Sequence, residues 1–158
     1  MRMLRLKLAA LLLLLILPVY QATARETGSQ TQREEIITLV EQVLSRAYTF
    51  TRPGQLPDFS TLDRVYPGWD QGDPGGARRK WQSGDYLYYR VKFRVDSVFM
   101  TSPYTARVRG KKSVNWARRV SFLWWFHRTK DNQRHVHFVA QLYRDAQGRW
   151  LVKSLTEM

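Results

Sequence analysis

The 158-residue chain contains no cysteine. That excludes a disulfide framework and the modified cysteine of a bacterial lipoprotein, so the core alone must stabilise the fold. Acids are also scarce. Thirteen Asp and Glu face 26 Lys and Arg, and the formal net charge is +13. Histidine occurs three times. Beyond the first apolar run, no stretch approaches the ~20 residues that a membrane-spanning helix needs. No internal repeat or low-complexity tract interrupts the chain.

What is present begins with a three-zone start. Arg2, Arg5 and Lys7 are followed by an unbroken apolar run, Leu8 to Leu17, closed by Pro18. A polar stretch then ends in Ala22-Thr23-Ala24, with small residues where a signal peptidase reads. This order predicts a secretory signal over 1–24, cleaved after Ala24, and a periplasmic or secreted destination. The opposing reading is an uncleaved anchor, for which the apolar run is short. The remaining chain has the length of one domain. Its basic residues favour anionic partners: phosphate-bearing lipids, envelope polymers, nucleic acid or an acidic protein.

Residues 25–30 read as a flexible leader. Thr31 to Glu34 has the spacing of a capping box. Ile36, Ile37, Val40, Val43, Leu44, Ala47 and Tyr48 then recur on one face of a helix, which Pro53-Gly54 ends. A shorter helix starts near Asp58 or Ser60, with Phe59, Leu62, Val65 and Tyr66 as its apolar stripe. Gly72 to Gly76 is a loop. From Asp85 the period becomes 2. Leu87, Tyr89, Val91, Phe93 and Val95 share one face, and Tyr86, Tyr88, Arg90, Lys92 and Arg94 the other. Tyr104, Ala106 and Val108 alternate with Thr105, Arg107 and Arg109 in the same way. Turns are expected at Gly110-Lys111-Lys112, Asp131-Asn132-Gln133 and Asp145 to Gly148. They separate strands over 114–127, 135–143 and 150–155. Helices first and antiparallel strands after predict an α+β fold, with the N-terminal helices on a curved, mostly antiparallel sheet over 31–158.

Three groups of residues are candidates for function. Arg90, Lys92, Arg94, Arg107 and Arg109 make a basic strand face suited to an anionic partner. Their interleaving with Tyr86 and Tyr88 also suits single-stranded nucleic acid, although charge alternation on a solvated strand is ordinary and nucleic acid is the weaker expectation. The second group rests on a register that pairs Phe126 with Phe138. Leu123, Trp125, His127, His137, Val139 and Tyr143 then share one face, which predicts a protein interface or self-association. The same register brings His127, His135 and His137 together. Arg128, Lys130 and Arg134 surround them, so no metal site is expected. Acid–base chemistry finds only Asp85 and Asp96, which fit strand ends or turns better. No nucleophile has a recognisable partner, no motif calls for a cofactor, and no catalytic residue is assigned.

The element order, helix, short helix, loop, then a meander closing on Gly148-Arg149-Trp150, resembles the nuclear transport factor 2-like superfamily over about Thr31 to Met158. That resemblance implies a cone-like α+β fold. It also implies one of two roles, since the superfamily hosts both pocket enzymes and assembly modules of secretion and conjugation machines. The expectation is an exported, non-enzymatic binding or assembly module. The rival is a cofactor-free isomerase or dehydratase, or a binder of anionic polymers.

Overall fold

The computed structural model describes residues 29–70, 86–123 and 126–158, the side chains of 120–128 excepted. The expected signal and cleavage site, the glycine-rich loop, Asp85, Trp124 and Trp125 lie outside the described residues. The chain divides after Glu35, and residues 29–35 of the first unit are helical. Ser29 and Gln30 therefore do not belong to a flexible leader, and Thr31 lies within helical backbone instead of capping it.

The second unit, Ile36–Met158, holds the sheet. Its first helix, α1, covers residues 36–48 and includes a π-helical stretch, Leu39–Leu44, before the α-helical Ser45–Tyr48. Ile36, Val40, Leu44 and Ala47 are buried along one stripe, as the helical spacing requires. Helix α2, Phe59–Val65, starts where Asp58 caps it: the Asp58 carboxylate accepts from the Thr61 amide at 3.0 Å. Hydrogen bonds from Thr61 hold that carboxyl below the usual carboxylate range.

Four antiparallel strands follow in sequential order: β1 Tyr86–Ser102, β2 Thr105–Leu123, β3 Phe126–Arg144 and β4 Trp150–Glu157. The fold is α+β, two N-terminal helices packed on a four-stranded antiparallel sheet. The inner face carries Val91, Phe93, Val108, Val114, Phe138, Ala140, Leu142 and Val152, all buried in one cluster with α1 and α2. The final turn, Asp145 to Gly148, forms as the sequence predicts. Gly148 takes a positive φ of 79° there, and the Asp145 carboxylate accepts from the Gln147 and Arg149 amides.

The other two expected turns are strand. Gly110 pairs with Val95 on one side and Phe138 on the other. A methyl group there would strike the Arg94 carbonyl oxygen and come within 2.7 Å of the Phe138 ring, so the glycine marks close approach inside the sheet. Asp131, Asn132 and Gln133 pair with Ala117, Trp116 and Asn115, and β3 runs straight through them. Asp131 and Gln133 are exposed on the outward side, and Asn132 is half-buried.

The helices also close the sheet's edges. Backbone N–H groups on the free side of β1 donate to α1 and the residue after it: Val95 to Glu41 at 2.6 Å, Phe93 to Ser45 at 3.0 Å and Val91 to Thr49 at 3.0 Å. The spacing of four places these acceptors in a row. Phe50 continues the row with two backbone bonds to Tyr89. On β4 the Leu155 amide donates to the Tyr66 hydroxyl at 3.0 Å. These edge donors are thus occupied and do not invite another chain.

Candidate anion-binding face

The sheet's period-2 alternation sends one set of side chains away from the helices. On β1 these are Tyr88, Arg90, Lys92 and Arg94. A bulge between Val95 and Ser97 then adds Asp96 and shifts the parity, so Ser97 and Phe99 continue outward while Val98 and Met100 pack inward. The bulge keeps both the apolar and the basic set on their own sides. Asp96 is exposed at this irregularity and lines no pocket described here.

Register assembles the basic residues into rows across the strands. Arg94 lies beside Lys111 and His137, Lys92 beside Ser113 and His135, and Arg90 beside Asn115 and Gln133. Beyond the bulge, Arg109 sits between Ser97 and Val139, and Arg107 between Phe99 and Gln141. All five predicted anion-binding residues, Arg90, Lys92, Arg94, Arg107 and Arg109, are exposed on this one face, and Lys111 joins them. Neighbouring strands lie about 4.8 Å apart and successive outward residues about 6.7 Å apart, so the charges form a close grid. Among the described residues none of these six cations has a carboxylate within ion-pair reach. Arg90 stacks on Tyr88 at 5.1 Å, and Arg109 on Phe99 at 5.9 Å. Asp131, at the far end of the face, accepts a hydrogen bond from the Tyr88 hydroxyl at 3.1 Å.

The predicted protein interface does not assemble as one patch. His137, Val139 and Tyr143 lie outward on β3, in line with Lys111, Arg109 and Thr105. Leu123 and His127 belong to the opposite end of the β2–β3 ribbon, where Leu123 pairs with Phe126 and His127 with Ser121. Trp125 lies outside the described residues. The cause is the missing turn at 131–133: with β3 continuous, ten residues separate His127 from His137, roughly 33 Å of extended strand. The histidines therefore form no trio. The His135 ring is exposed and bonded to Ser113 at 2.9 Å and Gln133 at 2.8 Å. Among the described residues no group of His, Asp or Glu is placed to hold a metal ion.

The inner face has a pocket that the sequence did not signal. It measures about 230 Å³ and lies among Tyr89, Trp116, Arg118, Arg134, Lys112 and Glu157. The Glu157 carboxylate in its lining is paired with Lys112 at 2.7 Å and Arg134 at 3.5 Å. Burial pushes the Tyr89 phenol up to about 12. This phenol therefore stays protonated at neutral pH. No protein-family model, curated protein or solved structure matches the chain. No helix of the described residues is long and apolar enough to cross a membrane.

Proposed function

We propose that the chain is an exported, non-enzymatic binding module that holds an anionic partner on the outer face of its sheet. One observation carries this reading. Arg90, Lys92, Arg94, Lys111, Arg107 and Arg109 share an exposed face, and among the described residues none of them has a carboxylate within ion-pair reach. Concentrating like charge on one face is unfavourable by itself, and an opposing polyanion relieves it. The charged start and the Ala22-Thr23-Ala24 site support export. The helix–helix–meander order supports the nuclear transport factor 2-like resemblance as part of the same proposal, and the fold alone does not choose a role.

The test uses oligothymidylate as a soluble strand of phosphates. Binding should weaken steeply with salt, with a log–log slope of about −0.7 for each phosphate contacted. Changing Arg90, Lys92, Arg94, Arg107 and Arg109 together to Gln should abolish binding and leave the melting transition in place. A variant that binds as tightly as the parent removes the proposal.

A further inference from the structure

The outer face is uneven, and one end of it differs in kind. Phe99, 53% exposed, faces outward near the end of β1 opposite Arg107, and Tyr104, 68% exposed, lies in the β1–β2 turn and not on the inward row with Ala106 and Val108. Beside them the surface sinks into a depression of about 580 Å³, lined in part by Thr101, Thr105, Arg107, Gln141, Tyr143 and Lys153. The Thr101 hydroxyl is fixed, donating to the Thr105 carbonyl at 3.1 Å and lying 2.7 Å from the Thr105 hydroxyl. Arg107 and Lys153 have no carboxylate partner among the described residues. An open depression with two cations free of ion pairs and the side-chain amide of Gln141 suits a phosphate group.

We propose that this end of the face docks on an anionic lipid surface, with a headgroup phosphate in the depression and Phe99 and Tyr104 at the headgroup level. The inference rests on the anion-binding reading above and names the partner. Aromatic rings with a polar edge or a cationic neighbour favour the boundary between water and hydrocarbon. Phe99 has the Arg109 guanidinium over its ring, and Tyr104 carries a hydroxyl. The basic rows behind the turn then meet neighbouring headgroups, each cation adding about fivefold in affinity near such a surface.

The distribution of aromatics favours lipid over a nucleic-acid strand. A single-strand binder stacks successive bases on neighbouring rings. Here Tyr88 and Phe99 stand eleven residues apart on β1, roughly 35 Å of strand, with Arg90, Lys92, Arg94 and Ser97 between them. Tyr88 is also held by Asp131 and covered by Arg90. The exposed rings gather at one tip, which makes an insertion point and not a track.

Because the chain has no cysteine, a single introduced thiol reports its own position. Pro103→Cys and Arg64→Cys, each in the full chain and each carrying an environment-sensitive fluorophore, would be mixed with phosphatidylglycerol vesicles. Position 103 should brighten and shift to the blue, and position 64, on α2, should not. Adding Arg107→Ala and Lys153→Ala should weaken the 103 response about 25-fold, as two cations are lost. A silent label at 103, with oligothymidylate still bound, overturns lipid docking and leaves the anion-binding face intact. Silence at 103 with no binding of oligothymidylate ends both readings. A response at 103 that survives the double substitution unchanged also overturns the headgroup site.

Discussion

Lys111 and Lys112 are neighbours in sequence and opposites in environment. Lys111 points outward, exposed between Arg94 and His137, and among the described residues no carboxylate lies within ion-pair reach of it. Lys112 points inward, its side chain 12% exposed and its ammonium 2.7 Å from Glu157. It also lies over the rings of Tyr48 and Phe93, at 5.6 and 5.5 Å. One lysine is neutralised by the fold and contributes to it. The other is left for solvent or a partner. The same division runs through the whole sheet: the inner face is committed to stability, and the outer face carries charge that the fold does not use.

The largest expected effect comes from crossing that division at one step of β3. Phe138 is fully buried, and its ring meets that of Phe93 edge-on at 5.2 Å. Phe138→Ala should destabilise the domain by about 3–5 kcal/mol, the usual cost of deleting a core aromatic. Val139 is half-buried on the outer face, opposite Arg109 and Thr156. Val139→Ala should cost under about 1 kcal/mol, the scale of a cross-strand pair. Denaturant unfolding of both variants checks the contrast, and equal losses would mean that the outer face is core as well.

A smaller effect appears at alkaline pH. Burial raises the Tyr89 phenol from 10.0 to about 12, so the folded chain holds that proton more tightly than the unfolded chain. Stability is then complete below pH 10 and falls as pH rises toward 12, by about 2–3 kcal/mol for this group. Tyr48 and Tyr66 shift in the same direction, also through burial. Melting temperatures between pH 9 and 12 should therefore decline, and Tyr89→Phe should make the decline shallower. An unchanged decline in Tyr89→Phe would show that this phenol is hydrated.

Much of the two-faced design was legible in the sequence. The alternation of Val91 and Phe93 with Arg90, Lys92 and Arg94 is strict, as is that of Ala106 and Val108 with Arg107 and Arg109. The basic face therefore follows from strand geometry alone. Its assembly into rows was hidden, because register depends on a bulge at Asp96 that no local residue marks. Gly110 misled for a related reason. A glycine that fits a turn and a glycine that yields room to Phe138 look alike until the neighbouring strand is known. Asp131-Asn132-Gln133 has turn composition, yet its odd residues continue the outward face and Tyr88 bonds Asp131 across the sheet. Without a turn there, Leu123 and His127 lie at the other end of the ribbon from His137, Val139 and Tyr143. The inner pocket escaped notice because Arg118 and Arg134 face inward only in the true register.

The most direct test exchanges the two neighbouring lysines for alanine, one at a time. Each variant would be assayed for unfolding free energy and for affinity to oligothymidylate at one fixed, low salt concentration. Lys111→Ala should leave stability within about 0.5 kcal/mol, as for other surface changes, and weaken binding by loss of one phosphate contact. It should also make the log–log salt slope shallower by about 0.7. Lys112→Ala should do the reverse, costing about 2 kcal/mol through the loss of its charged hydrogen bond to Glu157 and leaving the salt slope unchanged. If Lys112→Ala flattens the salt slope and Lys111→Ala does not, the anion binds on the inner side, and the division of labour between the faces is contradicted.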